Sequence, residues 1–229
     1  MFDPEYYQSK MMIVPVFPLP NVVLFPKTLV PLHIFEERYR LMTREAISGD
    51  RRIALALLRE GWESEYQGNP PVHEVGCLGR IENFEELDEG KYNIVLAGVQ
   101  RLRFLREIDH SPYRLAEVQP LEELLCDDED SDVIWRRNQL SGLFTRYTEL
   151  STGGKYRAVE LVPQLNFEAL VNIVASTLNL PPQEKQTLLE IDEVTSRCDL
   201  LIPALRQQLE ALILVRNYEH IRPEDPSRN

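Results

Sequence analysis

The opening part of the chain is strongly apolar but is interrupted repeatedly by proline. Residues 14–35 read VPVFPLPNVVLFPKTLVPLHIF. The prolines are Pro15, Pro18, Pro20, Pro26 and Pro31. Proline fixes φ and has no backbone N–H, so this pattern excludes one long helix and a regular central strand. Side chains such as Val23 and Phe25 are too apolar for a solvated tail. We therefore expect a buried segment that enters a small barrel, with the prolines where the chain turns corners.

A helix and a strand are predicted next. The apolar positions at helical spacing are Phe35, Tyr39, Met42 and Ala46. They predict a one-sided helix within residues 35–50, which Gly49 would end in a left-handed cap. The run RIALALLRE at residues 52–60 is continuously apolar, and its position predicts a buried strand.

The pattern then changes to short β-strands. Predicted strands cover residues 75–87, 91–99, 101–108 and 113–121. Asp88, Glu89 and Gly90 separate the first two strands, and a left-handed glycine would close a hairpin there. Short strands that follow one another through turns favour a small antiparallel barrel or a curled sheet over a parallel sheet.

The rest of the chain has helical periodicity. The acidic segment ELLCDDEDSD at residues 123–132 is interpreted as a solvated boundary that favours the start of a helix. An apolar stripe from Leu140 to Leu150 predicts a first helix, and Asn166 is a suitable cap for a second. Pro182 can start a third, and a long helix from about Asp192 to Tyr218 should kink at Pro203.

These patterns together predict an α+β protein with two domains. Residues 1–124 would form an antiparallel pseudo-barrel of about six strands with one helix. Residues 125–229 would form an α-helical bundle. With 43% hydrophobic residues, the chain can supply a core for both.

The composition of the chain restricts the cellular compartment and the kinds of partner that we expect. The 229 residues contain 25 Lys and Arg against 37 Asp and Glu, a formal net charge of −12, which disfavours nucleic acid or an anionic membrane as the main partner. No apolar run approaches the roughly 20 residues needed to span a bilayer, and we expect no export signal. The 3 cysteines, which are widely spaced, fit a reducing cytoplasm better than a disulfide framework.

The sequence carries no complete catalytic or metal-binding motif. STGGKYR at residues 151–157 has Glu149 and Tyr156 where a phosphate loop needs glycine and Ser or Thr. His73 and Cys77 are too few ligands for a structural zinc site, and the acidic segment lacks the spacing of a calcium loop. The sequence therefore predicts no catalytic residue, no metal and no cofactor.

Two aromatic residues are candidates for ligand binding. Trp62 and Tyr66 lie in the loop GWESEYQGNPP, where large apolar side chains either cap the core or stand out for binding. An exposed patch there would suit unfolded or peptide-like ligands, which are held through apolar contacts and sheet edges. Both interpretations stay open.

The order of elements resembles the N-terminal substrate-binding domain of Lon-type ATP-dependent proteases. The opening segment is similar to the family's P-L-x-x-V-V-x-F-P core through Pro18, Leu19, Val22, Val23, Phe25 and Pro26. The predicted hairpin region is similar to the family pattern through Val75, Gly76, Ile81, Val95, Gly98, Arg101 and Phe104. The resemblance implies a six-stranded PUA-like pseudo-barrel with a helix, followed by a helical bundle, and a structural role for these motif residues.

The resemblance implies polypeptide binding without hydrolysis. The ATPase module and the Ser-Lys peptidase domain of full Lon proteases have no counterpart in this sequence, so protease activity is not carried over. We expect an adaptor in protein quality control, with unfolded polypeptide and a protease or chaperone as partners. The alternatives are an enzyme whose site lies in a cleft between barrel and bundle, and a structural docking module in a larger assembly. The sequence leaves the oligomeric state open.

Overall fold

The structure, a computed structural model, describes residues 11–65, 68–124, 126–153 and 164–219. Its strands are β1 Met12–Leu19, β2 Leu29–Ile34, β3 Arg52–Leu57, β4 Val75–Glu86, β5 Tyr92–Ile108 and β6 Arg114–Pro120. Its α-helices are α1 Glu37–Ser48, α2 Ser131–Thr152, α3 Phe167–Thr177, α4 Pro182–Glu190 and α5 Val194–Glu219. The α+β class predicted from the sequence is confirmed.

The strands form a sheet that closes on itself. Their order is β2-β5-β4-β3-β1-β6, and β5 also pairs with β6, which closes the barrel and leaves β2 paired with β5 alone. One pair differs from the antiparallel expectation, because β1 runs parallel to β3 from Val16↔Ala54 to Leu19↔Leu57. Parallel neighbours need a crossover connection, and the segment that contains β2 and α1 provides one. The sheet is therefore mixed.

Strand β5 is longer than the sequence predicted. Residues 91–99 and 101–108 were expected to be separate strands, yet Tyr92–Ile108 is continuous. In the β4–β5 register, Leu78 pairs with Gln100 and Gly79 pairs with Gly98, so Val99 has no opposite residue. This bulge lets one strand bend around the barrel and pair with β2 and β4 at its start and with β6 at its end.

The core of the barrel consists of two apolar clusters. One lies under α1 and includes Tyr39, Met42 and Ala46 of that helix, as the helical spacing predicted. The other includes Val14, Val16, Leu78, Leu102 and Val118. Two details of the predicted helix are wrong, since Phe35 is 59% exposed and Gly49 has a φ of −104°. Arg51 takes the left-handed conformation instead, with a φ of 62°.

The prolines of the opening segment have two different roles. Pro20 and Pro26 lie at bends, as expected. Pro15 and Pro18 lie inside β1, and Pro31 lies inside β2, so the corner interpretation is wrong for these three. Strand β1 pairs with β6 up to Val16 and with β3 from Val16 onward, so each of its prolines lies where the strand is paired on one side. A missing N–H is tolerated at such positions.

The chain divides into two compact units. The first comprises Met1–Leu124 and Ala175–Glu193, and the second comprises Leu125–Val174 and Val194–Asn229. A single boundary after residue 124 does not anticipate the return of residues 175–193 to the first unit. Helix α4 belongs there because Gln186 donates a hydrogen bond of 2.8 Å to the carbonyl of Val75, and Leu188 and Leu189 are buried.

The second unit is helical. Helices α2 and α5 pack together through buried residues such as Leu140, Phe144 and Leu205, and Arg136 forms a two-armed pair with Asp199 at 2.8 and 3.1 Å. The buried side chains of α2 recur at helical spacing, which is why this segment was predicted correctly from its stripe.

The expected cap of α3 is confirmed, and α2 has a cap that was not predicted from the sequence. Asn166 accepts a hydrogen bond of 2.9 Å from the amide of Ala169, and Asp130 caps α2 through the amide of Asp132. Helix α5 continues through Pro203, and the kink there stays a prediction. In the part of the chain that is described, no helix combines the length and the apolar character that a bilayer crossing requires.

Candidate functional site

The outer face of strands β2, β5 and β4 carries a cleft of about 450 Å³, here called the outer cleft. Its lining residues are Pro31, Leu32, His33, Asn83, Phe84, Glu85, Asn93, Ile94 and Val95. On β5, Asn93 and Val95 alternate with the buried residues Tyr92, Ile94 and Leu96, so the period of the strand separates the outer face from the core.

The register of the three strands brings polar side chains from distant parts of the chain together. His33 lies opposite Asn93, which lies opposite Glu85. Nδ1 of His33 is 2.8 Å from Oδ1 of Asn93, and Nδ2 of Asn93 donates to Oε2 of Glu85 at 3.1 Å. Because Oδ1 of Asn93 can only accept, Nδ1 of His33 is the donor of this hydrogen bond. The cleft floor thus has a cross-strand polar row.

Apolar side chains border this polar row. Pro31 lies opposite Val95 on this face. Phe84 pairs with Ile94 on β5, so its side chain points to the opposite face. Leu29, 63% exposed, shares the outer face of β2, and Phe35 stacks on His33 with ring centroids 6.1 Å apart. Exposed apolar surface beside hydrogen-bonding groups is typical of a surface that binds another chain.

The free edge of β2 is a poorer site than its face. The amide of Gly98 donates to the carbonyl of Thr28 at 2.8 Å, so the even-numbered residues of β2 bond to β5. Leu29, Pro31 and His33 therefore direct their backbone groups away from the sheet. Pro31, in the middle, has no N–H to offer an added strand. Proline at this position blunts the edge, as edge prolines commonly do.

Of the two aromatic residues predicted to bind peptide, Trp62 does not line the outer cleft. Trp62 lies in a short 3₁₀ helix, Trp62–Glu65, and its side chain is partly buried. Tyr66 lies outside the described residues. The structure therefore places Trp62 apart from the residues that line the cleft.

Most family-motif residues lie inside the barrel. Pro18, Val23, Phe25, Pro26, Gly76 and Gly98 are buried, and Leu19 and Val22 are partly buried. The two motif segments meet at Gly98, because a Cβ atom there would lie 2.0 Å from the carbonyl oxygen of Phe25. Of the motif residues, Val95 alone lines the outer cleft. Their positions support the structural interpretation of the motif.

One motif residue has a larger structural role than the sequence indicated. Arg101 is completely buried and donates to Oε1 of Glu123 at 2.6 Å and to Oδ1 of Asp192 at 2.9 Å. It also donates to the carbonyls of Leu189 at 3.0 Å and Glu122 at 3.1 Å. Arg101 thus joins β5 to the segment after β6 and to the end of α4.

A second, larger basin of about 800 Å³ lies beside α1 and is lined mainly by charged residues. Arg38 pairs with Glu36 at 3.1 Å, and Arg40 donates to the carbonyl of Glu89. Burial raises the pKa of Tyr92, and the neighbouring charge of Glu86 raises it further. Because its lining is mainly charged and offers few apolar side chains, we do not assign the site to this basin.

The described residues contain no recognisable catalytic centre. They include no group of three or more His, Cys, Asp or Glu side chains that could hold a metal ion. Burial raises the pKa of the Cys198 thiol to about 12 and raises that of Cys77 as well, so both are poor nucleophiles. In the acidic segment, Asp130 caps α2 and Glu123 binds Arg101, which accounts for two of its acids.

The histidines have separate partners. His33 contacts Asn93, His73 lies 3.4 Å from Glu190, and His110 is 2.8 Å from the carbonyl of Tyr113. His220 and the glycine-rich residues from Gly154 onward lie outside the described residues. The sequence did not identify His33, Asn93 and Glu85 as a group. The alternation of β5 gave a signal for Asn93, but the cross-strand register was needed to join the three.

Comparisons with known proteins agree on one family. The chain matches the model for the ATP-dependent protease La (LON) substrate-binding domain over residues 13–207. It is 30% identical over 210 residues to Lon protease 2 of Herpetosiphon aurantiacus, which covers 90% of this chain and 25% of that protein. It is 27% identical over 203 residues to the Lon protease of Anaeromyxobacter dehalogenans, covering 88% and 24% respectively. The chain therefore spans about a quarter of the length of these relatives.

Two solved structures share the fold. The N-terminal domain of the Mycobacterium avium complex Lon protease superposes with a TM-score of 0.66 at 18% identity, covering 85% of this chain and 98% of that one. A Lon N-terminal domain protein from Xanthomonas campestris superposes with a TM-score of 0.62 at 22% identity, covering 84% and 98%. At these identities the likeness concerns the fold.

Proposed function

Since this chain belongs to the family of LON substrate-binding domains, we propose that it binds polypeptide segments at the outer cleft and does not cleave them. Family membership supports a Lon-like role in substrate recognition. The match concerns the substrate-binding domain, and neither the ATPase nor the peptidase domain of Lon proteases is matched. Recognition without hydrolysis is therefore the simplest function for this chain.

The observation that carries the proposal is the composition of the outer cleft. Unfolded segments present apolar side chains together with unpaired backbone groups. Pro31 and Val95 can receive the apolar side chains, and His33 and Asn93 can hydrogen-bond to the backbone. Contacts of this kind are weak individually and tolerate many sequences, which a receptor for unfolded chains requires.

We infer an adaptor role from the same features. An adaptor would hold a polypeptide until a protease or a chaperone takes it over. The free cysteines Cys77, Cys126 and Cys198 fit a reducing compartment such as the cytoplasm. Trp62 would make a second contact with the bound polypeptide, since its side chain is partly exposed near the start of a surface loop.

Binding to unfolded proteins tests the proposal. Fluorescently labelled lysozyme and α-lactalbumin, reduced and carboxamidomethylated, would be titrated with this protein and followed by anisotropy. We expect binding in the micromolar range and no new fragments on a gel after prolonged incubation. Absence of binding at tens of micromolar, or proteolysis that follows the purified protein, would overturn the proposal.

Matched variants locate the binding surface. Val95→Ser removes an apolar side chain from the outer cleft and should weaken binding, because an apolar anchor is lost. Leu200→Ser removes a side chain of the second unit that is 51% exposed and should leave binding unchanged. Trp62→Ala tests the second contact in the same assay. Equal effects of Val95→Ser and Leu200→Ser would exclude the outer cleft as the site.

A further inference from the structure

We propose that the outer cleft selects segments in which a lysine or arginine adjoins an apolar residue, with Glu85 as the group that receives the positive charge. This inference rests on the proposed function of the cleft and names its class of substrate. Among the described residues that line the cleft, Glu85 is the only carboxylate, and none is a lysine or an arginine. The cleft therefore has a negative charge where a bound segment would lie.

The carboxylate of Glu85 is oriented but retains binding capacity. Asn93 holds Oε2 through Nδ2 at 3.1 Å, and no described residue donates a hydrogen bond to Oε1. Asn93 is held in turn by His33. A cationic side chain brings several N–H donors and no acceptor, so it complements Oε1 of Glu85, whereas a second carboxylate would meet an acceptor of its own charge.

The surroundings strengthen the preference for cations. The segment from residue 82 to residue 91 continues from the cleft into the β4–β5 turn. Its acids are Glu82, Glu85, Glu86, Asp88 and Glu89, and its basic residue is Lys91. Lys91 is paired with Glu89 at 2.6 Å, and Arg40 contacts the carbonyl of the same residue. Glu82, Glu85 and Glu86 are exposed on β4, so the field at the cleft attracts cations.

Apolar contacts supply the other half of the specificity. Pro31 and Val95 lie opposite each other on β2 and β5, two positions along the strands from His33 and Asn93. Leu29, which is 63% exposed, extends this apolar surface along β2. A segment with adjacent cationic and apolar residues would satisfy the carboxylate and the apolar border together.

Peptides that differ at one position test the inference. A labelled apolar peptide would carry arginine, glutamine or glutamate at its centre, with every other residue unchanged. We expect the arginine peptide to bind about fivefold more tightly than the glutamine peptide, a ratio typical of an exposed charge pair, and the glutamate peptide to bind least tightly.

Variants assign the preference to Glu85. Glu85→Gln should remove the preference for arginine and leave the glutamine peptide unaffected, and Glu85→Lys should invert the order of the arginine and glutamate peptides. Glu184→Gln, a change of the same charge at an exposed position on α4, should alter nothing. Glu85 is exposed, so these variants should fold normally.

The outcomes separate the two proposals. Equal binding of all three peptides to the unchanged protein, or an arginine preference that survives Glu85→Gln, would overturn the inference and leave the proposed function standing. Failure of every peptide and every unfolded protein to bind would overturn both.

Discussion

At the scale of single residues, Gly98 sets how closely the opening segment approaches β5. The amide of Lys27 donates to the carbonyl of Gly98 at 2.8 Å, and an added Cβ atom would lie 2.0 Å from the carbonyl oxygen of Phe25. The backbone must therefore move if a side chain is added. We expect Gly98→Ala to lower the free energy of unfolding by about 3 kcal/mol, measured by urea denaturation.

Gly142 provides the matched control. It lies inside α2, and an added Cβ atom would meet nothing within 4 Å. Gly142→Ala should therefore raise the free energy of unfolding, by up to about 1 kcal/mol, through helix propensity alone. Similar effects of the two substitutions would contradict the steric role of Gly98.

Tyr113 links the pH dependence of stability to one buried contact. Its hydroxyl donates to Oε2 of Glu45. Burial is the main cause that raises its pKa to about 12, and the hydrogen bond to Glu45 and the charge of Glu45 add to it. The native state then retains a proton that the unfolded chain releases near pH 10. This contribution is complete below about pH 10 and is lost as the pH rises through about 12, so the free energy of unfolding should fall in that window by about 2 kcal/mol.

The variant Tyr113→Phe isolates this contribution. Lysines also titrate at high pH, so the informative quantity is the difference between the unchanged protein and the variant, measured by chemical denaturation at each pH. That difference should shrink between pH 10 and pH 12. A constant difference across the window would show that Tyr113 does not retain its proton in the native state.

At the scale of elements, Arg101 attaches α4 to the barrel. The completely buried guanidinium donates hydrogen bonds to Glu123, Asp192 and the carbonyl of Leu189. Arg101→Met would remove this shared donor. Removal of one partner of a buried ion pair lowers the free energy of unfolding by about 3–5 kcal/mol. We expect this loss in urea denaturation, together with faster amide exchange in residues 182–190.

Arg106→Gln is the control for this prediction. Arg106 belongs to the same strand and pairs with Glu117 at 2.6 Å, but its side chain is 69% exposed. Exposed pairs contribute little, so the change should stay within about 0.5 kcal/mol. If both arginine variants lost the same stability, attachment of α4 would not depend on Arg101.

Pro31 protects the free edge of β2. Replacing it with valine would add the missing N–H and complete a row of outward backbone groups with Leu29 and His33. We expect Pro31→Val to self-associate more than the unchanged protein at equal concentration, measured by size exclusion with light scattering. Pro31→Lys adds the same N–H together with a charge that opposes edge pairing, and it should not self-associate. Identical elution of all three proteins would contradict the role of Pro31.

At the scale of the whole molecule, the sequence predicted what is local and missed what is paired over distance. Helix α1 follows from the spacing of Tyr39, Met42 and Ala46 alone. The parallel β1–β3 pair, the unbroken β5 and the return of α4 to the barrel depend on contacts between segments far apart in the chain. Local periodicity carries no information about such pairings.

The candidate site was hidden from the sequence for the same reason. His33 and Asn93 are 60 residues apart, and only the register of β2 on β5 places them in contact. Trp62 was a candidate because it is an aromatic residue in a loop, whereas the outer cleft is built on strands. The alternation of exposed and buried residues at the start of β5 gives a signal for an outer face, but not for a polar row that crosses it.

The net charge of the molecule leads to a kinetic prediction. With a formal charge of −12, the protein attracts cationic segments before contact, and salt screens this attraction over about 10 Å at 0.1 M. The association rate of the arginine peptide should therefore fall as NaCl is raised, whereas the dissociation rate, which reflects the closer contacts in the cleft, should change little. Stopped-flow anisotropy measures both rates.

Two comparisons separate the long-range field from the local contact. The glutamine peptide should show a weaker salt dependence of association, because it lacks the central charge that the field attracts. Glu85→Gln changes the net charge by one unit out of twelve, so it should alter the dissociation rate of the arginine peptide more than its association rate. If salt changed mainly the dissociation rate, the long-range field would not govern association. If Glu85→Gln changed mainly the association rate, Glu85 would not hold the bound peptide.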